Sequence, residues 1–108
     1  MLPACASVPT GRSVFVQRKG TALTRGDMPY RIVGANMWYA AWLGADAPYG
    51  NRPRLIRELD RLKAIGVNNL RIMASGEEGP LKSSIKPGFT DQNGTPDMKQ
   101  FEGLDFAM

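Results

Sequence analysis

The 108-residue sequence contains no histidine, and its single cysteine is Cys5. Without histidine, neither a Ser/His/Asp triad nor a Cys/His pair can be assembled within this chain, and a histidine-ligated metal site is excluded as well. One cysteine cannot form a disulfide bond within the chain. The composition therefore excludes several classes of hydrolase and metalloenzyme, and we expect no metal site.

Long hydrophobic runs are also missing, since no stretch approaches the roughly 18 apolar residues that a membrane-spanning helix needs. The run from Leu2 to Ser7 is similar to the cleavage end of a bacterial lipoprotein signal. The charged start and apolar stretch of such a signal are absent, which leaves open whether the start codon is misplaced or the likeness is accidental. Residues 1–13 are predicted to be a tail or linker, which on the first interpretation is a remnant of that signal with a lipid anchor at Cys5. The protein is expected to be extracellular or periplasmic.

The charge is not strongly one-sided, since 14 Lys and Arg residues stand against 10 Asp and Glu residues, for a net charge of +4. Basic residues are spread along the chain, with one concentration at residues 52–63 that also contains Glu58 and Asp60. Carboxylates and arginines at i, i+3 and i, i+4 spacing on a helix form ordinary surface pairs. The pattern predicts a solvated helix face, and we expect no nucleic-acid partner.

The sequence does contain short extended runs followed by a strand–helix–strand order. Residues 14–17 and 21–24 predict a small antiparallel lead-in, and residues 30–35 have the nearly continuous apolar character of a strand buried on both faces. A helix follows the N-cap residue Asn51 and ends at Gly66. Its apolar positions at helical spacing are Leu55, Ile56, Leu59, Leu62 and Ile65.

A second apolar strand at residues 67–73 follows this helix directly. The resulting unit implies two parallel strands joined by a right-handed crossover. Residues 36–50 are predicted to be a long connection, and residues 74–96 a candidate binding loop, because structureless connections of that length are uncommon unless they are functional or disordered. A further helix is predicted to begin near Asp97, with the apolar positions Met98, Phe101, Leu104 and Phe106 or Ala107. Two parallel strands cannot close a sheet, so the pattern requires more chain.

Arg71 is the most informative single residue. Side chains alternate along a strand, so if Leu70 and Ile72 pack on helices, Arg71 points to the opposite side, which in a parallel barrel is the interior. It lies near the carboxyl end of its strand, where barrel active sites are built. A buried guanidinium requires a carboxylate or an anionic substrate as partner. The alternative is an arginine that extends into solvent at the strand end.

Aromatic residues crowd the connection after the first parallel strand. Flat rings with a polar edge suit the apolar faces and hydroxyl rims of sugars, although core packing explains such a cluster almost as well. We predict sugar binding for two members, Trp38 and Tyr39. Four of the nine aromatic residues fall within twelve positions: Trp38, Tyr39, Trp42 and Tyr49.

The only adjacent carboxylate pair is Glu77 and Glu78. A retaining glycosidase needs two carboxyl groups about 5 to 5.5 Å apart that converge on one bond from opposite sides. Neighbours in a flexible loop rarely hold that arrangement, so we assign this pair no catalytic role.

Three segments together resemble a known enzyme family. Residues 30–39 read Tyr-Arg-Ile-Val-Gly-Ala-Asn-Met-Trp-Tyr, and residues 57–74 read Arg-Glu-Leu-Asp-Arg-Leu-Lys-Ala-Ile-Gly-Val-Asn-Asn-Leu-Arg-Ile-Met-Ala. With Glu-Gly-Leu-Asp-Phe at residues 102–106, they resemble an endo-β-1,4-mannanase of glycoside hydrolase family 5. The likeness extends from about Phe15 to the C-terminus.

This resemblance implies an α/β fold, the (β/α)₈ TIM barrel, with retaining hydrolysis by two glutamates and no cofactor. Residues 14–108 then form the first two β/α units behind a short β lead-in, and the barrel is incomplete, since a whole barrel needs about 250 residues. The family's acid/base and nucleophile glutamates fall beyond Met108. No residue of this chain inherits either role, and we expect the chain by itself to be inactive.

The resemblance also implies roles for four residues of this chain. Arg71 matches the arginine on the second strand that supports the nucleophile electrostatically. Trp38 and Tyr39 match the aromatic segment that forms a sugar-binding wall. Asn36 matches an asparagine at the end of the first strand, where structural and substrate-binding roles stay open.

The sequence leaves two rival functions open. One is a related cellulase or β-glucanase, since substrate choice depends on loops that are not present here. The other is a small non-catalytic module that binds carbohydrate or nucleic acid. Our hypothesis is that the full-length protein is an exported monomer that hydrolyses mannan-type polysaccharide.

Overall fold

The computed structural model describes residues 15–108. The predictions for residues 1–14, which include the tail and the lipid anchor at Cys5, lie outside the described residues. Contacts divide the chain into two compact units, one that ends at Arg31 and one that runs from Ile32 to Met108. Within residues 15–108, no helix has the length and the apolar character needed to cross a membrane.

The first unit is a small antiparallel sheet with the strand order β1-β2-β3. Its strands are β1 (Val16–Lys19), β2 (Ala22–Arg25) and β3 (Met28–Pro29). The turns between them contain Gly20 and Gly26, both with φ of 62°, a left-handed conformation that glycine adopts without steric strain. The predicted lead-in is therefore confirmed, with a shift of one or two residues, whereas β3 was not predicted.

The second unit contains the predicted strand–helix–strand order. Its elements are β4 (Gly34–Asn36), α1 (Ala40–Gly44), α2 (Arg52–Ala64), β5 (Asn69–Arg71) and α3 (Met98–Ala107). Strands β4 and β5 pair in parallel, with Gly34 opposite Asn69 and Asn36 opposite Arg71. This parallel pairing across α2 confirms the two parallel strands and the connecting helix that the sequence predicted.

The expectation of a first core strand over residues 30–35, buried on both faces, was wrong. The strand is limited to β4, and Ile32 and Val33 are 57% and 48% exposed. Val33 is instead held by its backbone, since its N–H donates to Asn68 Oδ1 at 2.9 Å. The sheet of β4 and β5 has only two strands among the described residues, and apolar strand residues become buried only where further strands and helices cover them.

Helix α2 follows the predicted pattern at both ends. The side-chain oxygen of Asn51 accepts a hydrogen bond from the Arg54 N–H at 3.0 Å, which caps the first turn, and Gly66 has φ of 91° just beyond the last turn. Leu55 is fully buried, whereas Ile56 and Ile65 are exposed. The predicted apolar face is therefore too wide. Leu59 and Leu62 complete the packed face with Leu55, while Ile65 lies beyond the helix end.

Replacing Asn51 by alanine should lower the free energy of unfolding by about 1 kcal/mol, because the N-terminal turn of α2 loses its side-chain acceptor. Urea unfolding of wild type and variant measures this difference. Asn51→Asp is the matched control, since it retains an acceptor oxygen at the same position. Equal unfolding midpoints for wild type and Asn51→Ala would contradict the prediction.

Helix α1 was missed, since residues 36–50 were expected to be a connection without a helix. All five of its residues are buried, so it has no polar face that would create a helical pattern in the sequence. Its side chains contribute to two adjoining clusters of buried residues. The first contains Met37, Ala40, Leu43 and Leu55, and the second contains Ala41, Trp42 and Phe89.

Helix α3 begins where the sequence predicted, because Asp97 Oδ1 accepts a hydrogen bond from the Lys99 N–H at 2.9 Å. Its predicted apolar face is only partly correct. Gln100 and Gly103 are its fully buried residues, while Met98 and Phe106 are exposed. The predicted positions Phe101, Leu104 and Ala107 do pack against the two buried clusters that contain α1 residues, and Gly103 lets the two helices approach closely beside them.

Candidate active-site cleft

A cleft opens at the carboxyl ends of the two parallel strands. Asn36 and Arg71 are the last residues of β4 and β5, and they lie opposite each other in the sheet. The Met37 N–H continues the pairing by donating to the Arg71 carbonyl at 3.0 Å. The cleft has a volume of about 340 Å³, and its lining residues are Asn36, Trp38, Arg71, Ile72 and Met73.

Arg71 lies on the face of β5 that the alternation predicted. Leu70 and Ile72 pack against the buried cluster that contains Leu55 on α2, so Arg71 points to the other side, into the cleft. Arg71 is exposed, and among residues 15–108 no carboxylate forms an ion pair with its guanidinium. The cleft therefore contains a positive charge that no described side chain neutralises. Its support of a nucleophile stays a prediction.

Trp38 presents about half of its surface to solvent, at 51% exposure, and lines the same cleft. Its ring makes edge-on contacts with Tyr39 and Trp42, at centroid distances of 5.5 and 5.7 Å. An exposed ring face beside an amide and a guanidinium can take the apolar face of a sugar while the polar groups bind hydroxyls. The structure thus brings together three of the four predicted site residues, and their roles in substrate binding stay predictions.

Tyr39, the fourth predicted residue, lines a separate pocket beside α2. Its hydroxyl donates to Glu58 Oε2 at 2.6 Å, a contact between residues 19 positions apart. The hydrogen bond to Glu58 raises the pKa of Tyr39, and burial adds to that shift. Tyr39 touches the cleft residues through its ring contact with Trp38, while its polar end is directed to the helix.

Glu58 is a functional candidate that the sequence did not single out. Its other oxygen accepts a hydrogen bond from Arg54 Nε at 2.6 Å, which confirms the predicted surface pair at i, i+4. Hydrogen bonds from Tyr39 and then Arg54 lower the pKa of the Glu58 carboxyl. The helix pattern predicts the pair with arginine, but nothing in it predicts the tyrosine, which comes from another element.

The ionisation of Glu58 is expected to make the stability of the protein depend on pH. Its pKa in the folded protein is lower than the usual 4.5, so its contacts stabilise the fold above pH 4.5, and this contribution is lost as the pH falls through the lowered value. Between neutral pH and a pH below 4.5, the urea midpoint should decrease more for wild type than for Glu58→Gln. Parallel pH profiles for the two proteins would rule out this linkage.

Trp42 connects the aromatic cluster to the long loop at residues 74–96. Its indole N–H donates to the Pro87 carbonyl at 2.7 Å, and its ring packs edge-on against Phe89 at 5.2 Å. Phe89 is 1% exposed and packs in turn against Phe101 of α3. The loop therefore contributes a buried residue to the core. Its predicted role in binding stays a prediction.

The remaining polar groups near this loop have structural partners. Glu78 Oε1 accepts a hydrogen bond from the Gly88 N–H at 3.2 Å. The Tyr49 hydroxyl donates to Asp97 Oδ2 at 3.1 Å, and burial together with this hydrogen bond raises the pKa of Tyr49 to about 12. Residues 15–108 contain no group of three or more His, Cys, Asp or Glu side chains that could hold a metal ion.

Comparisons with known proteins identify the family. The model of glycoside hydrolase family 5 β-mannosidase-like proteins matches residues 13–108. Among solved structures, the chain is similar to the family 5 mannosidase from Rhizomucor miehei, with 37% identity and a TM-score of 0.78. A mutant of that enzyme in complex with mannosyl-fructose gives 35% identity and a TM-score of 0.79. A search of curated proteins gave no match.

These matches cover most of this chain but little of the other proteins. Each of the two alignments includes 88% of the present chain and 24% of the Rhizomucor miehei chain. The present chain thus spans about a quarter of the length of the structures that it matches. Its β4–α2–β5 unit has the fold of the N-terminal portion of a (β/α)₈ barrel, and the described residues form no closed barrel. The chain belongs to the β-mannosidase-like proteins of glycoside hydrolase family 5.

Proposed function

We propose that the full-length protein is a retaining endo-β-1,4-mannanase that hydrolyses mannan-type polysaccharides. The cleft at the carboxyl ends of β4 and β5 carries this proposal, because barrel enzymes build their active sites at that end of the strands. Trp38 offers a ring face for a sugar, Asn36 offers an amide for its hydroxyls, and Arg71 offers a positive charge. A polymeric substrate also requires that such an enzyme act outside the cytoplasm.

Retaining hydrolysis needs one carboxylate as nucleophile and one carboxyl group as acid/base. None of the residues that line the cleft is acidic, so the proposal assigns neither role within this chain and predicts that these 108 residues alone have no activity. The role of Arg71 is electrostatic. A guanidinium close to a carboxylate favours the ionised form of the carboxylate, the form that can attack the sugar.

A second candidate function is a mannosidase that removes single sugars from short mannosides. It is favoured by the names of the similar structures, which are mannosidases, and by the mannosyl-fructose bound to one of them. The two candidates share the chemistry of the bond and differ in whether the substrate chain extends past both sides of the cleft. That difference appears directly in the products.

The test is product analysis with the full-length protein on mannan, cellulose and short manno-oligosaccharides. The proposal expects a rapid fall in mannan viscosity and a series of oligosaccharide products, with no release from cellulose. Mannose as the sole early product would overturn the endo-acting assignment in favour of the mannosidase. Hydrolysis of cellulose at a rate comparable to mannan would overturn the substrate assignment.

A further inference from the structure

Trp38 contacts two aromatic neighbours, each of which is hydrogen-bonded to a distant part of the chain. Its ring makes an edge-on contact with Tyr39, whose hydroxyl is bound to Glu58 on α2. It makes a second edge-on contact with Trp42, whose indole N–H is bound to the Pro87 carbonyl in the long loop. These contacts reach 19 and 45 residues along the sequence, so two separate segments determine where the Trp38 ring lies.

Such support matters because Trp38 itself is half exposed and lies in the turn between β4 and α1. An exposed side chain that changes rotamer has to be ordered when a ligand binds, and this ordering weakens binding. Two fixed rings in contact with Trp38 restrict its rotamers before the ligand arrives. The ring face that lines the cleft is then available in one orientation.

The Glu58 carboxylate on α2, which binds Tyr39, is fixed by two hydrogen bonds. Glu58 accepts from Tyr39 with one oxygen and from Arg54 with the other, both at 2.6 Å. The Arg54 guanidinium also lies over the Tyr39 ring, 5.8 Å from its centroid. Bonds to both oxygens hold the carboxylate in one orientation, and charge-assisted hydrogen bonds of this kind are stronger than neutral ones.

We propose that Tyr39 and Glu58 are positioning residues that hold the Trp38 ring in its orientation toward the cleft. The proposal rests on the proposed function, in which Trp38 contacts the sugar. It differs from the role that the sequence predicted for Tyr39, which was direct contact with substrate. In a direct contact the Tyr39 hydroxyl would act on the sugar independently of Glu58, whereas in a positioning role the two residues act as one unit.

The kinetic test uses the full-length protein with the variants Tyr39→Phe, Glu58→Leu and the double variant. Each single change should raise KM about two- to tenfold, the range that corresponds to one hydrogen bond, and leave kcat within about twofold. The double variant should show no further increase, because both changes break the same contact. Glu58→Gln should have a KM close to that of wild type, since its amide oxygen can still accept a hydrogen bond from Tyr39.

Tyr49→Phe is the matched control, because it also removes one hydroxyl that donates to a carboxylate, Asp97, at a ring that makes no stacking or edge contact with Trp38 among the described residues. Its KM should equal that of wild type. Additive increases in KM for Tyr39→Phe and Glu58→Leu would overturn the positioning role in favour of direct contact with the sugar. An unchanged KM in both single variants would overturn the proposal altogether.

A measurement without substrate separates this proposal from the proposed function. In protein labelled with fluorotryptophan, the ¹⁹F resonance that disappears in Trp38→Phe reports on the Trp38 ring. Tyr39→Phe and Glu58→Leu should shift or broaden it, while Tyr49→Phe should leave it unchanged. If wild type cleaves neither mannan nor mannosides, the proposed function fails and this resonance still decides the positioning role. An unmoved Trp38 resonance in both variants would refute that role.

Discussion

Replacing Arg71 by methionine is expected to lower kcat of the full-length enzyme about 100- to 1000-fold, the loss typical of removing one preorganised electrostatic group. The guanidinium lines the cleft, and no described carboxylate neutralises it. In the proposed function its partner is the nucleophile, whose ionised form it stabilises. Methionine retains much of the apolar stem, so the variant removes the charge with little change in packing.

Steady-state kinetics on mannan, together with urea unfolding, tests this expectation. Arg57→Met is the matched control, because Arg57 is an exposed arginine on α2 that lines no part of the cleft, and its kcat should stay at the wild-type value. Arg71→Lys should be intermediate, since lysine keeps the charge but not the planar fork of donors. A wild-type kcat for Arg71→Met would instead make Arg71 an ordinary arginine that extends into solvent at a strand end.

Replacing Gly103 by alanine is expected to lower the free energy of unfolding by about 3 kcal/mol, at the upper end of what overpacking usually causes. Helices α1 and α3 cross at this residue. A methyl group on Gly103 would overlap the Ala41 carbonyl and the Ala45 N–H, and a methyl group on Gly44 would likewise overlap the Gly103 carbonyl. These are backbone atoms, so the clash is relieved only by moving one helix away from the other.

The intrinsic preference of alanine for helices opposes this loss by about 1 kcal/mol, so the sign of the result is informative. Gly76→Ala is the matched control, because its methyl group would meet only side-chain atoms, the Met73 sulfur at 3.4 Å and Ile85 Cδ1 at 3.8 Å, in ordinary contact. Thermal unfolding of both variants and wild type measures the difference. A Gly103→Ala protein as stable as wild type would show that α1 and α3 do not pack this closely in solution.

The local elements were predictable because their signals lie in neighbouring residues. The cap at Asn51 and the packed face of α2 come from spacing within one helix, and the parallel strands follow from the apolar runs around it. Helix α1 escaped prediction because five residues that are all buried produce no amphipathic period. The exposure of Ile32 and Val33 could not be predicted either, because an apolar run indicates a tendency to be buried and does not show whether other elements pack over it.

The candidate site also contains features that the local sequence predicts and features that it does not. Alternation along β5 predicts that Arg71 lies opposite Leu70 and Ile72, and the pairing of β4 with β5 brings it beside Asn36. No pattern in the neighbouring residues predicts the hydrogen bond from Tyr39 to Glu58. A tyrosine in a turn and a glutamate on a helix are ordinary in sequence, and only the packing of α2 behind the turn brings their oxygens to 2.6 Å.

The sequence by itself therefore determined the α/β order, both ends of α2, the start of α3, and the side of β5 on which Arg71 lies, because each depends on residues within a few positions of one another. The tertiary structure alone decided that Trp38 lies in the cleft while Tyr39 is bound to α2, and that Gly103 meets α1 while Phe106 is exposed. These outcomes depend on contacts between residues tens of positions apart. Such contacts are selected by the packing of whole elements and leave no pattern in the adjacent sequence.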